Sequence, residues 1–111
     1  MSEVLNESIK YIEQSKTGLL ITTGEDGYPY VRIMGAFSND GANLYFETGK
    51  NSNKVKHIKN NPVVTFYFQN ENQAYDTFKS VSVTGEASEV LQGDDDFNKA
   101  VDGISIRYPI L

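Results

Sequence analysis

Residues 17–48, TGLLITTGEDGYPYVRIMGAFSNDGANLYFET, decide the fold class. Short apolar and β-branched runs alternate in this stretch with polar turns that contain glycine, which is the pattern of β-strands joined by tight connections. The three strands predicted here run from Thr17 to Thr23, from Tyr28 to Phe37 and from Asn43 to Thr48. Because Asp40-Gly41 is a hairpin-type dipeptide, we expect these strands to form an antiparallel meander.

Two helices flank this region in the sequence. In the segment Ser2 to Gln14, the apolar side chains fall close to one face of a helix. A second, shorter helix is predicted for Lys54 to Asn60. It ends at Asn61-Pro62, because the residue before a proline avoids the helical region.

The second half of the chain adds further strands. Val63 to Phe68 (VVTFYF) is almost continuously apolar, which predicts a strand buried on both faces, or buried on one face and paired with a subunit on the other. Phe78 to Val90 alternates between apolar and polar residues, and Gly85 in the middle suggests a bulge or a close backbone approach. Residues 93–96 (GDDD) open a third short helix, and Ile104 to Leu111 is a candidate for a last short strand.

Together these segments predict a mainly β fold. The expected architecture is an antiparallel barrel of five to six strands with two or three short helices, because short connections suit a closed antiparallel sheet better than a doubly wound one. The length of 111 residues fits one domain covering residues 1–111.

The composition excludes several classes of function. The net charge of −5 and the pI of about 4.7 argue against a general nucleic-acid binder and against binding to an anionic membrane surface. The absence of cysteine removes disulfides, thiolate nucleophiles and thiolate metal ligands, and an acidic, cysteine-free chain fits the cytoplasm. The single histidine, His57, is expected to be a surface residue, so we predict no metal site.

A few cations are placed where an anion could be bound. Arg32 lies in the middle of an apolar strand, where its charge must reach solvent or meet an anion. Lys54 begins the short helix, where the Ser52 hydroxyl and unpaired helix N–H groups also converge, and such a helix start is suited to phosphate. Thr48, at the end of a strand, adds another hydroxyl. Each residue taken alone fits a solvated side chain, but their order in the chain suggests that they meet at one place.

A group of motifs carries a family resemblance. These motifs are Pro29 to Arg32, Thr48 to Lys54 (TGKNSNK), Ile58 to Pro62 (IKNNP) with the strand after it, and Val81 to Gly85 (VSVTG). In order and spacing they resemble the pyridoxamine 5'-phosphate oxidase-like FMN-binding split-barrel family, and in particular its small general-stress-protein type members. The resemblance extends over about residues 5–90.

The resemblance implies a flavin site and a homodimer. Arg32 would pair with the FMN phosphate, and the backbone of Val31, Ile33 and Met34 would run along the isoalloxazine ring. The other implied contacts are Glu47 and Thr48 beside the ring or ribityl chain, Ser52, Asn53 and Lys54 at the phosphate, and Ser80 at the polar edge of the ring. In this family the flavin lies between two subunits, which suits the strand from Val63 to Phe68 as an interface element.

The sequence departs from the vitamin B6 oxidases at three of the implied positions. It has Phe37 where they carry lysine, Asn53 where they carry arginine, and Ser80 where they carry glutamine. The resemblance therefore implies a site with fewer cations, and we expect no oxidation of pyridoxamine phosphate. The expected function is an FMN-dependent oxidoreductase passing electrons from a reduced nicotinamide or another donor to a small acceptor. The alternative is a non-enzymatic protein that binds or carries flavin, haem or a deazaflavin on the same fold.

Overall fold

The computed structural model describes residues 2–49, 51–70 and 73–107. Within these residues, six strands form antiparallel sheets and three α-helices accompany them, which confirms the predicted mainly β fold. The strands are β1 (Gly18–Thr23), β2 (Pro29–Met34), β3 (Phe37–Asp40), β4 (Asn43–Phe46), β5 (Val63–Gln69) and β6 (Ser80–Glu86). The helices are α1 (Ser2–Gln14), α2 (Asn53–Asn60) and α3 (Asp95–Arg107), with a single 3₁₀ turn at Tyr75–Thr77.

Four of the strands form the main sheet, in the order β2-β1-β5-β6. The pairing aligns Arg32 of β2, Leu20 of β1, Phe66 of β5 and Val83 of β6 in one row across the sheet. The strands β3 and β4 form a separate two-stranded hairpin. Since side chains alternate along a strand, the residues of this row point to the same face of the sheet.

That face carries the hydrophobic core. Leu20, Phe66 and Phe68 are buried on it, and the rings of Phe66 and Phe68 stack with their centroids 4.9 Å apart. Phe37, from the hairpin, packs against both rings at 5.5 and 5.3 Å. Ile12 of α1 closes the core from the helix side. Aromatic rings at these separations add to the stabilisation that burial provides.

The predicted meander is wrong at one corner. The apolar run from Tyr28 to Phe37 does not form one strand: β2 ends at Met34, and Phe37 begins β3, which pairs with β4 instead. The hairpin turn expected at Asp40-Gly41 lies at Gly41 and Ala42, where Gly41 has a φ of 60°. The chain leaves the main sheet after Met34, and Phe37 packs fully buried against the rings of Phe66 and Phe68.

Three downstream expectations also change. Of the two alternatives for β5, burial on both faces is excluded, because Phe66 and Phe68 are buried while Val63 is exposed, and pairing with a subunit stays a prediction. Gly85 pairs with Val64 in regular register and has open space where a side chain would lie, so there is no bulge or close approach. The strand predicted for residues 104–111 is helical in α3 as far as residue 107, and residues 108–111 lie outside the described part of the chain.

The last turn of α3 is helical because its side chains have partners in the fold. Ile104 is buried, and the guanidinium of Arg107 lies 4.2 Å from the centroid of the Phe37 ring. Arg107 also donates hydrogen bonds to the carbonyl oxygens of Glu13 and Ser15, at the end of α1. These long-range contacts outweigh the local β propensity of the segment.

Replacing Gly18 with alanine is expected to destabilise the fold by about 1–3 kcal/mol, the typical cost of overpacking a core. A Cβ at Gly18 would overlap Cε1 of Phe66 and would lie 2.7 Å from Cδ1 of that ring and 2.8 Å from Cε1 of Phe68. Chemical denaturation would measure the free energy of unfolding. Gly85→Ala is the matched control in another strand of the same sheet, because nothing lies within 4 Å of its Cβ. Equal stability of the two variants would contradict the prediction.

The helices of the described residues are short or polar. None has both the length and the hydropathy that crossing a bilayer requires. The cytoplasmic location expected from the composition stays a prediction.

Candidate cofactor site

The start of α2 presents hydroxyl and amide groups together. Ser52 occupies the N-cap position with an extended backbone, but its side chain makes no capping hydrogen bond. Its Oγ lies 3.1 Å from Oγ1 of Thr48 instead. The side chain of Ser52 therefore leaves the N–H groups of the first helical turn available, and N–H groups at such a helix end attract anions.

Two half-buried cations accompany this helix start. Lys54 lies in the first turn of α2, and Arg32 lies on β2. A salt bridge joins Lys99 to Asp40, and among the residues that the structure describes neither Arg32 nor Lys54 has a carboxylate partner. Half-buried cations without such a partner favour the binding of an anionic ligand.

A short chain of polar contacts links Arg32 to α2. Its Nη1 lies 3.5 Å from Oγ1 of Thr22, a long contact at the limit of hydrogen bonding. The same Oγ1 lies 2.9 Å from Nδ1 of His57, which belongs to α2. Residues three apart on a helix lie on the same side, so His57 lies one turn beyond Lys54 on that side. The structure thus connects Arg32 to α2 through Thr22 and His57, while the assignment of Arg32 and Lys54 to one phosphate site stays a prediction.

His57 itself was not predicted to take part. The sequence suggested a surface residue, whereas the structure gives a half-buried ring in contact with fully buried Thr22. The one signal in the sequence is that His57 follows Lys54 by three residues, a spacing that places both side chains on the same side of α2.

Tyr30 extends this chain of contacts to the turn before β2. Its ring centroid lies 4.6 Å from that of His57, and its hydroxyl donates a 2.5 Å hydrogen bond to Oδ2 of Asp26. This hydrogen bond holds the pKa of Asp26 below its ordinary value and raises the pKa of Tyr30 above its own. The turn residue Asp26 therefore supports the ring that packs on His57.

Tyr30→Phe is expected to raise the pKa of Asp26 toward its ordinary value of 3.8, because the hydroxyl that stabilises the carboxylate is lost. The folded-state pKa of Asp26 lies below the unfolded one. Its contribution to stability is therefore present above the unfolded pKa and is lost as the pH falls through the folded pKa. An NMR titration of the Asp26 carboxyl carbon measures the shift. Tyr28→Phe is the control, because Tyr28 contacts Asp26 only through its backbone N–H. An unchanged Asp26 titration in Tyr30→Phe would refute the prediction.

The remaining site residues predicted on β2 lie on both faces of the strand. Val31 and Ile33 are 57% and 72% exposed on the side of the main sheet away from the core, whereas the side chain of Met34 is buried in the core. We call that side the outer face; its members on the three strands β2, β1 and β5 are Pro29, Val31, Ile33, Leu19, Ile21, Thr23, Val63, Thr65, Tyr67 and Gln69. The outer face also contains a depression of about 190 Å³, lined in part by Ile33 and Tyr67.

Three other predicted residues differ in their placement. Glu47 and Asn53 are exposed and directly precede Thr48 and Lys54. Ser80 is not brought to this cluster: it begins β6 opposite Gln69, on the far edge of the sheet from β2. Three strand spacings separate these edges, about 14 Å. Within one subunit, Arg32 is linked to α2 through Thr22 and His57, and Ser80 stays apart from both.

Comparisons with known proteins give the family. The pyridoxamine 5'-phosphate oxidase family matches residues 5–109. A conserved hypothetical protein from Mycobacterium tuberculosis is 30% identical with a TM-score of 0.80, and the match covers 97% of this chain and 64% of that one. The General Stress Protein 26 from Bacillus anthracis is 32% identical with a TM-score of 0.61, covering 76% of this chain and 61% of the other.

An F420 reductase is 26% identical with a TM-score of 0.70, and the match covers 90% of this chain and 75% of the reductase. No curated protein matches the chain. The chain spans less than two thirds of the length of the mycobacterial and Bacillus proteins. Since the family match extends over nearly all of the sequence, this chain belongs to the pyridoxamine 5'-phosphate oxidase family.

Proposed function

We propose that this protein binds FMN and uses it as an oxidoreductase. The observation that carries the proposal is the meeting of Arg32 with α2 through Thr22 and His57. It brings a strand cation to the helix whose first turn holds Lys54 and whose N-cap serine hydroxyl contacts Thr48 instead of capping. Paired cations, hydroxyls and helix N–H groups are the donors that a phosphate monoester needs.

The residues have separate roles in this proposal. Arg32 and Lys54 neutralise the phosphate, while Ser52, Asn53 and the first-turn N–H groups of α2 donate hydrogen bonds to it. Glu47 and Thr48, which precede Ser52 in the chain, would lie beside the ring or the ribityl chain of the flavin. The backbone of Val31, Ile33 and Met34 would run beside the ring, with Ser80 at its polar edge.

A bound flavin supplies the electron or hydride transfer, and the protein supplies binding, orientation and electrostatics. The proposed reaction passes electrons from a reduced nicotinamide or another donor to a small acceptor. The protein's own contribution is to bind the phosphate at α2, which would fix the position of the ring along β2.

The proposed assembly is a homodimer formed through the outer face. Val31 and Ile33 are largely exposed there, and Val63 is 46% exposed on β5. Contiguous apolar surface of this kind is uncommon on a soluble monomer and marks interaction sites. The side chain of Ser80 lies on the same face by the alternation of β6, so a flavin held between two subunits would be within reach of it.

The second candidate is a carrier that binds flavin, a deazaflavin or haem without turnover. It is supported by the buried position of Phe37, which occupies the core and provides no cation where the vitamin B6 oxidases carry lysine. The similarity to an F420 reductase adds the deazaflavin to the ligands that need testing.

An absorption spectrum and ligand titrations test the proposal. Purified protein is expected to carry or take up FMN, to prefer FMN over riboflavin, and to oxidise reduced nicotinamide faster than the same concentration of unbound FMN. Binding of FMN without turnover would support the carrier function instead. Failure to bind FMN, together with uptake of F420 or haem, would overturn the assignment of the cofactor.

A further inference from the structure

Thr22 is a buried hydroxyl that has two polar neighbours. It is fully buried on β1, with Nη1 of Arg32 at 3.5 Å and Nδ1 of His57 at 2.9 Å from its Oγ1. A hydroxyl has one proton to donate and two lone pairs that accept. Arg32 has no acceptor, so of these two neighbours only His57 can accept the threonine proton. The unprotonated Nδ1 of a neutral imidazole is the matching acceptor.

This arrangement orients the hydroxyl. With its proton directed to His57, the oxygen lone pairs of Thr22 face the guanidinium of Arg32. A hydroxyl rotated the other way would direct its proton at a cation, which is electrostatically unfavourable. His57 therefore acts on Arg32 through the direction in which the Thr22 hydroxyl points.

The position of His57 is itself constrained. Its ring packs against Tyr30, and the Tyr30 hydroxyl is held by Asp26. The long contact to Thr22 leaves most N–H donors of Arg32 for another partner. In the described part of the chain, Thr22 is the residue of β1 whose side chain has polar contacts with both Arg32 and α2.

We propose that Thr22 and His57 are positioning residues for phosphate recognition, holding the Arg32 guanidinium and α2 in the arrangement that binds the phosphate of the cofactor. This inference rests on the proposed function, because it assigns these two residues to the same phosphate site. It adds Thr22, which contacts Arg32, and His57, which contacts Thr22, and it predicts that the effect of both is confined to phosphorylated ligands.

The test compares FMN with riboflavin, which lacks only the phosphate. Dissociation constants are measured for the wild type and for Thr22→Val, which keeps the shape but removes the hydroxyl, and His57→Phe, which keeps a ring against Tyr30 but removes the acceptor. Thr22→Ser and His57→Asn are the matched conservative variants, since each retains the polar group. Thermal unfolding of each variant is recorded alongside, so that loss of folding is recognised.

We expect Thr22→Val and His57→Phe to weaken FMN binding by roughly 10-fold while riboflavin binding changes by less than about twofold, the size of one lost hydrogen bond to a charged group. The serine and asparagine variants should recover most of the lost affinity. Unchanged FMN affinity in both Thr22→Val and His57→Phe would overturn the inference. Equal losses for FMN and riboflavin would also overturn it, because they indicate a merely structural role.

A second measurement does not depend on the flavin. Nitrogen NMR of the imidazole is expected to show the Nε2–H tautomer of His57, with Nδ1 unprotonated, and to show a changed Nδ1 signal in Thr22→Val. The Nδ1–H tautomer in the wild type would contradict the proposed direction of the hydrogen bond. If the wild type binds FMN no better than riboflavin, the protein has no phosphate site and the proposed function fails. If the wild type prefers FMN but the variants do not change that preference, only this inference fails.

Discussion

Lys54→Ala is expected to weaken FMN binding by about 2–5 kcal/mol, the typical effect of truncating one member of a charge pair at an interface. Lys54 is half-buried in the first turn of α2, and no carboxylate in the described residues pairs with it. The alanine variant would leave the phosphate with Arg32 as the only strong cation of the proposed cluster. Flavin fluorescence or calorimetry measures the dissociation constants for FMN and for riboflavin.

Lys56→Ala provides the control for this prediction. It makes the same change in charge on the same helix, but Lys56 is exposed. We expect it to bind FMN almost as the wild type does, because a solvated charge is screened by salt. Riboflavin affinity should stay constant in both variants. Equal FMN affinities for Lys54→Ala and Lys56→Ala would reject the assignment of Lys54 to the phosphate.

Ile33→Lys is expected to convert the proposed dimer into a monomer at micromolar concentration. Ile33 is 72% exposed on the outer face. A lysine there would place a charge in an apolar contact, and like charges brought together across an interface cost several kcal/mol. Analytical ultracentrifugation or light scattering gives the mass in solution. FMN affinity should fall with dissociation, because the flavin is proposed to lie between the subunits.

Ile106→Lys is the matched control for the outer face. Ile106 is 81% exposed on α3, away from the main sheet, so the same substitution there should leave the mass unchanged. A wild-type protein that is monomeric at all concentrations, or an Ile33→Lys variant that stays dimeric, would show that the outer face is not the interface.

Local patterns predicted much of the secondary structure. The bounds of α1 match the prediction, and α2 differs by one residue, because both helices have periodic apolar side chains and clear ends. β1 and β5 also lie within one residue of their predicted bounds. By contrast, the corner between β2 and β3 was missed. The position of this corner depends on where Phe37 packs in the core, and a continuous apolar run in the sequence does not show where each of its side chains will pack.

The end of α3 also could not be predicted from local sequence. Ile104 and Ile106 favour a strand by local propensity, yet the segment is helical because Arg107 packs on Phe37 and bonds to the end of α1. The regular pairing of Gly85 with Val64 likewise could not be predicted, since a glycine in a strand is compatible with either a bulge or an ordinary ladder.

By itself, the sequence determined the mainly β fold, the charged residues of the candidate site and the start of the helix that holds Lys54. These features follow from local periodicity and from which side chains carry charge. Only the tertiary structure decided that Thr22 and His57, 35 positions apart in the chain, join Arg32 to that helix, and that Ser80 lies on the opposite edge of the sheet. The physical reason is that strand pairing and core packing bring together residues whose separation in the sequence contains no signal of their contact.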